Sequence, residues 1–165
     1  MSDPQLHAAV SELLFREARL LDDQNWSAWL DLYTDDAVFW APATKMTGGY
    51  TTDPELELNF IYIAGRAGLE ARILRVETNS SMASTPPPRT CHLVTCVMID
   101  AATDKEVRAF ANWQVVSFNE QRGQQLRSGS YEYRLWPTGA SFRIARKKIL
   151  LLEHVIDGYF DVSSV

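Results

Sequence analysis

Proton-transfer chemistry needs a titratable side chain beside a carboxylate, and the chain has three histidines with which to attempt it, His7, His92 and His154. His92 stands out because it lies in the run Cys91-His92-Leu93-Val94-Thr95-Cys96-Val97-Met98-Ile99, which reads as a largely apolar strand. Set against Asp36 and the phenol of Tyr62, it would form an acid–base pocket suited to an isomerase, a dehydratase or a hydrolase. A histidine in such a strand is more often a hydrogen-bonded group of the core or of an interface. Asp35 and Asp36 are equally suited to ending a helix and turning the chain. Tyr62, Tyr131, Tyr133, Trp40 and Trp113 could line the same pocket, but aromatics at strand spacing usually fill cores or interfaces. The preferred reading has no catalytic residue; His92, Asp36 and Tyr62 form the alternative set.

Metal and phosphate chemistry find less support. A mononuclear iron site brings two histidines and a carboxylate together, and His7, His92 and His154 have no ligand-like local spacing. Cys91 and Cys96, five residues apart on one strand, would sit about 16 Å from each other on opposite faces, too far for a mutual disulfide. Gly48-Gly49 lacks the flanking strand, helix and lysine of a phosphate loop. No metal ligand and no cofactor-binding residue is expected. The basic cluster Arg143, Arg146, Lys147 and Lys148 has two readings: a grip on an acidic patch of a partner, or a solvated edge that discourages strand pairing.

With 165 residues, 46% hydrophobic and 22% charged, the chain fits one globular domain over 1–165. A formal charge of −5 gives no electrostatic reason to expect nucleic acid or an anionic membrane as partner. No apolar run is long enough to span a bilayer, and Met1-Ser2-Asp3-Pro4 lacks the regions of a signal peptide. Two thiols without a disulfide framework fit a reducing compartment, so the expected location is the cytoplasm.

The elements that must position these side chains follow from spacing. Asp3-Pro4 has the form of a cap followed by proline at the first helical position, and Leu6, Val10, Leu13, Leu14, Ala18 and Leu21 make an amphipathic stripe. Asn25 is placed to cap a short helix marked by Trp26, Trp29, Leu30 and Tyr33. Ala37 to Ala41 forms a strand stopped by Pro42, and residues 43–55 form a Thr/Gly-rich loop. Leu58 to Ile63 could be a strand or a helix start, and its aromatic and β-branched content favours strand. A helix is expected from about Arg66 to Glu77, ended by Asn79-Ser80-Ser81.

Pro86-Pro87-Pro88 stiffens the approach to the apolar strand. Leu93, Val97 and Ile99 are expected on one of its faces and Val94, Cys96 and Met98 on the other, as in a central strand covered twice. After a connection at 101–105, Val107 to Val115 and Leu126 to Trp136 alternate as half-buried strands, separated by a turn at 121–124. Pro137-Thr138-Gly139 turns the chain into a last strand, whose apolar parity changes between Ile144 and Ile149, which implies a β-bulge at Arg146–Lys148. Helices first and short-linked strands afterwards give an α+β class: a curved, mostly antiparallel sheet with the N-terminal helices in its concavity.

Three stretches taken together resemble a known family. They are Leu20 to Pro42, with its acidic turn, Trp-bearing helix and Asp35-Asp36-Ala37-Val38-Phe39-Trp40; Pro88-Arg89-Thr90-Cys91-His92-Leu93-Val94; and Phe142 to Leu151. In order and spacing they are similar to the small (beta) subunit of bacterial aromatic-ring-hydroxylating dioxygenases. The resemblance implies the cone-like fold of nuclear transport factor 2, ketosteroid isomerase and scytalone dehydratase. It implies a structural role beside a large (alpha) subunit, in an α3β3 hexamer. That large subunit would carry a Rieske [2Fe-2S] cluster and a mononuclear Fe(II) for dihydroxylation of an aromatic substrate. Electrons would come from NAD(P)H through separate redox components. A Rieske centre takes two Cys and two His, and this sequence lacks the spacing for one. The alternative remains a stand-alone enzyme of the same fold.

Overall fold

A computed structural model of the chain describes residues 4–78, 87–139, 141–156 and 160–165. Helix α1 runs from Pro4 to Asp22 and buries Val10, Leu13, Leu14, Ala18 and Leu21, the expected stripe; its Asp3 cap lies outside the described residues. Asn25 caps α2, Trp26–Leu30, its side-chain oxygen accepting from the Ala28 N–H at 3.3 Å. Tyr33 is not part of that helix. It begins strand β1, Tyr33–Pro42, where it is fully buried.

Strand β2, Asn59–Ala64, confirms the strand reading of that stretch, and α3 follows as Arg66–Glu77. Gly65 makes the join at φ +82°, a conformation that favours glycine. The Asn79-Ser80-Ser81 stop lies outside the described residues. Strands β3 (Arg89–Ala102), β4 (Val107–Asn119), β5 (Gly123–Thr138) and β6 (Ser141–Leu151) complete the sheet, and a 3-10 turn at Val162–Ser164 ends the chain.

The six strands form one curved sheet in the order β2-β1-β6-β5-β4-β3. Strands β3 to β6 are a consecutive antiparallel meander, whereas β1 enters beside β6 in parallel and holds β2 antiparallel on its far side. The α+β class with helices against one face is as the sequence implied.

Three expectations need correction. First, β3 lies at an edge of the sheet and not at its centre. Its register slips between Thr95 and Met98, where Cys96 takes φ +52°. This bulge changes parity midway, so Val94, Val97 and Ile99 all pack on the core while Leu93 and Met98 point outward, Met98 at 61% exposure. Cys91 and Cys96 are consequently both exposed instead of lying on opposite faces.

Second, the bulge in β6 comes earlier than Arg146–Lys148. Arg134 pairs with Arg146 and Leu135 with Ile144, which leaves Ala145 as the extra residue. Third, the basic segment is no edge: β6 is flanked by β1 and β5, and Lys147 is fully buried.

The core fills the concave face. Trp29, Tyr33 and Phe39 cluster with ring centroids 4.8 to 6.5 Å apart, and Trp113 stacks on Tyr131 at 5.3 Å. Gly129 sits so close to β6 that a Cβ there would lie 1.8 Å from the Leu150 carbonyl oxygen. Only glycine lets that pair of strands close.

Candidate functional site

Two polar clusters on the concave side carry the titratable groups of interest. The deeper one is centred on Glu17, which occupies the buried face of α1 among leucines. Its carboxylate accepts from Tyr33 Oη at 2.5 Å, from Tyr133 Oη at 2.7 Å and from Lys147 Nζ at 3.0 Å. The Glu17 and Lys147 side chains are each 1% exposed. The ammonium also faces the ring of Tyr131, 4.1 Å from its centroid. Burial pushes the Lys147 ammonium below its ordinary range, and the Glu17 charge beside it offsets this only in part. Burial, followed by the Glu17 charge, holds the phenols of Tyr33, Tyr131 and Tyr133 well above theirs.

The second cluster sits where α1 ends against β3. Asp22 accepts from Thr90 Oγ1 at 2.8 Å, from the His92 backbone N–H at 3.0 Å and from His92 Nδ1 at 2.6 Å. Burial alone would raise the Asp22 carboxyl; the hydrogen bonds and charge of His92, with Thr90, together bring it below its usual value. The His92 side chain is 1% exposed and that of Asp22 17%. A histidine oriented by a carboxylate is the geometry of a general base. Here the other ring nitrogen, Nε2, is buried without a hydrogen-bond partner, closed to any substrate in this arrangement.

Both ends of α1 bind the edge strand or its approach. His7 Nε2 donates to the Val97 carbonyl at 2.9 Å, and Gln24 Nε2 reaches the Pro88 carbonyl at 3.4 Å. Helix α1 and the turn after it thus occupy polar groups that an edge strand otherwise offers to other chains.

The structure does not bring the remaining candidates to His92. Asp36 is exposed on β1, accepting from Thr34 Oγ1 at 2.8 Å, and Tyr62 is 37% exposed on β2, opposite Trp40. Both strands lie at the other end of the sheet from β3. Tyr131, Tyr133 and Trp113 are core residues, whereas Trp40 is buried on the outer face beneath Arg146 and Lys148, its Nε1 donating to Asn59 Oδ1. His154 is exposed, and its carbonyl accepts from Thr44. Among the described residues, no group of three or more His, Cys, Asp or Glu side chains is placed to hold a metal ion.

Glu17 and Asp22 were not candidates from the sequence, and Lys147 figures there only within the basic cluster, as a grip on a partner or part of a solvated edge, where it is in fact buried. A signal was present for the first: Glu17 falls on the Val10, Leu14, Leu21 stripe, where a solvated carboxylate does not belong. Lys147 shares its parity with Ile149 and Leu151, but the bulge at Ala145 hides that relation from simple alternation.

Among the described residues no helix packs on the opposite face of the sheet, which carries large side chains outward: Leu93 and Met98 from β3, Phe110 and Phe118 from β4, Leu126 and Trp136 from β5. Between them a shallow cleft of about 540 Å³ opens over Asn112, Gln114, Ser128 and Ser130. Exposed apolar groups interspersed with polar ones, on a flat sheet face, are the composition of a protein contact.

Comparison with known proteins agrees with that character. Residues 16–158 match the family model described as ring hydroxylating beta subunit. The chain is 36% identical over 157 residues to the anthranilate 1,2-dioxygenase small subunit of Acinetobacter baylyi, covering 95% of this chain and 96% of that one. Its fold superposes on the crystal structure of the beta subunit of the benzoate 1,2-dioxygenase from Burkholderia mallei with a TM-score of 0.74, at 31% identity and 96% coverage of each chain. A naphthalene 1,2-dioxygenase structure with indole bound shares the fold at a TM-score of 0.82 and 16% identity, over 99% of this chain and 87% of that one. A packed concave face, an uncovered outer face and a match over nearly the full length lead to one assignment: the chain belongs to the beta-subunit family of ring-hydroxylating dioxygenases.

Proposed function

We propose that this chain acts as one α+β unit over 1–165 that contributes shape and contact surface, not catalytic groups, to an oxygenase whose large subunit holds the iron. The observation that carries this reading is the filled concavity. The face where a substrate would enter a cone of sheet is occupied by Tyr33, Phe39, Tyr131, Tyr133 and the Glu17–Lys147 pair, all essentially without solvent contact. The one histidine–carboxylate pair among the described residues, His92–Asp22, is sealed as well.

In this reading the Rieske [2Fe-2S] cluster and the mononuclear Fe(II) belong to the large subunit, electrons arrive from NAD(P)H through separate components, and three large and three small chains assemble in the cytoplasm. Among the described residues no helix is long and apolar enough to cross a membrane. The relatives named above act on anthranilate and benzoate, which supports an aromatic carboxylate as the substrate to be dihydroxylated. Co-expression with a Rieske-type large subunit is expected to yield a single coloured complex containing both chains, while this chain purified alone is colourless and iron-free. Turnover of an enone or a hydroxylated aromatic by the isolated chain, abolished by His92→Ala, would overturn the proposal.

A further inference from the structure

The outer face of the sheet carries a row of guanidinium groups that the nearby carboxylates neutralise only in part. Arg108 on β4 stands directly opposite Arg134 on β5, and Arg134 directly opposite Arg146 on β6. Three guanidinium side chains thus occupy one row across three adjacent strands, where opposed Cβ atoms are about 5 Å apart and like charges destabilise the pairing. The next row is Phe110, Glu132, Lys148 and Trp40.

The carboxylates nearby are few and already engaged. Asp100 pairs with Arg108 at 3.3 Å, Glu132 with Lys148 at 3.2 Å, and Glu106 approaches Arg134 at 3.9 Å, too long for a hydrogen bond. Arg146 lies 5.1 Å from the centroid of the Trp40 ring, and its Nε is shielded from solvent with no acceptor. Four cations, Arg108, Arg134, Arg146 and Lys148, thus face three carboxylates, and the terminal nitrogens of a guanidinium row with positive charge left over are suited to an anion with planar, two-oxygen geometry. The row lines a cleft of about 200 Å³ with Phe110 at its wall, in the face that carries the exposed apolar side chains.

We propose that the Arg108–Arg134–Arg146 row receives an acidic segment of the large subunit, whose carboxylates complete the guanidinium pairs when the outer sheet face is covered. This rests on the reading of the chain as a partner of that subunit. Charge complementarity calls for an acidic occupant: a twofold contact between copies of this chain centred on the row would set arginine against arginine, and a copy reaching the row in a threefold assembly would have to bring a different, acidic surface, an outcome the test separates from the large subunit. Benzoate-like carboxylates from solution share the chemistry but not the apolar surround, which spans several strands.

The test uses the complex of both subunits. Arg134→Glu with Arg146→Glu is compared with Arg143→Glu, a cation of the same strand outside the row, and with the milder Arg134→Gln. Association is read by sedimentation over a range of salt concentrations. Reversal in the row is expected to weaken binding to the large subunit about tenfold or more and to flatten its salt dependence, with Arg143→Glu near wild type. Arg134→Gln should raise the thermal midpoint of the isolated chain, by relieving repulsion, while weakening the complex; a residue with a merely structural role moves both in one direction.

Row variants that assemble with wild-type affinity and salt dependence overturn the inference and leave the proposed function standing. Variants that impair only association among copies of this chain, or wild-type assembly weakened by millimolar benzoate alone, overturn the choice of occupant. A wild-type chain that binds no large subunit overturns both.

Discussion

Glu17→Leu leaves the Lys147 ammonium inside the core without its counter-charge, and an uncompensated buried ion costs about 3–5 kcal/mol. The double variant Glu17→Leu with Lys147→Met should recover much of that loss, because a buried ion pair contributes little beyond an apolar pair of similar volume. Recovery will be incomplete, since Tyr33 and Tyr133 then lose the acceptor that both hydroxyls use. Urea denaturation of the two variants checks this: a double variant as unstable as the single one would show that Glu17 stabilises through the tyrosines and not through the lysine. Chemistry at this scale was only partly readable beforehand. From the sequence His92 reads as a hydrogen-bonded group of the core or of an interface, with Asp36 as its alternative partner, but its carboxylate is Asp22, near in space and seventy positions away in sequence. No spacing rule connects them, because the contact exists only once α1 lies on β3.

At the scale of elements, Asp22 fastens the end of α1 to the edge strand through Thr90 and both donors of His92. Because the folded chain holds this carboxyl below its ordinary 3.8, its contribution is complete above that pH and is lost as the pH falls through the lowered folded value. Asp22→Asn should therefore cost about 1–2 kcal/mol at neutral pH and flatten the acid limb of the stability curve. Denaturant midpoints at a series of pH values measure it, and an unchanged acid limb would remove Asp22 from the account. Most elements were legible because local patterns suffice for them: the α1 stripe, the Asn25 cap, the β-branched content of β2, the alternation of β4. What failed did so at bulges. Cys96 and Ala145 each insert one residue, and a period of two cannot show which strand neighbours an extra residue has, nor that β3 is an edge and β6 an interior strand.

Across the whole molecule, the interior is lined by ionisable groups whose charged forms burial disfavours. Tyr33, Tyr131 and Tyr133 have raised folded values, so above their ordinary 10.0 the folded state keeps protons that the unfolded state releases, and stability falls as pH rises. Lys147, lowered from 10.5, acts in the opposite sense, but one lysine stands against three phenols. Titration followed by phenolate absorbance should show three of the six tyrosines silent until the chain unfolds. A smooth titration of all six without unfolding would mean that the concave face admits water, which the scaffold reading does not allow.

The parallel seam between β1 and β6 sets the order of events during synthesis. β1 is complete by Pro42, yet one of its two neighbours in the sheet is β6, the last of the described strands to be made. Until β6 has emerged, β1 is paired in the sheet only with β2, with α3 packed against it, and its second seam stays open; such long-range pairing is slow to form. The face that β4 to β6 present is therefore a late product of folding, finished only when the first strand and the last of the described strands have closed on each other.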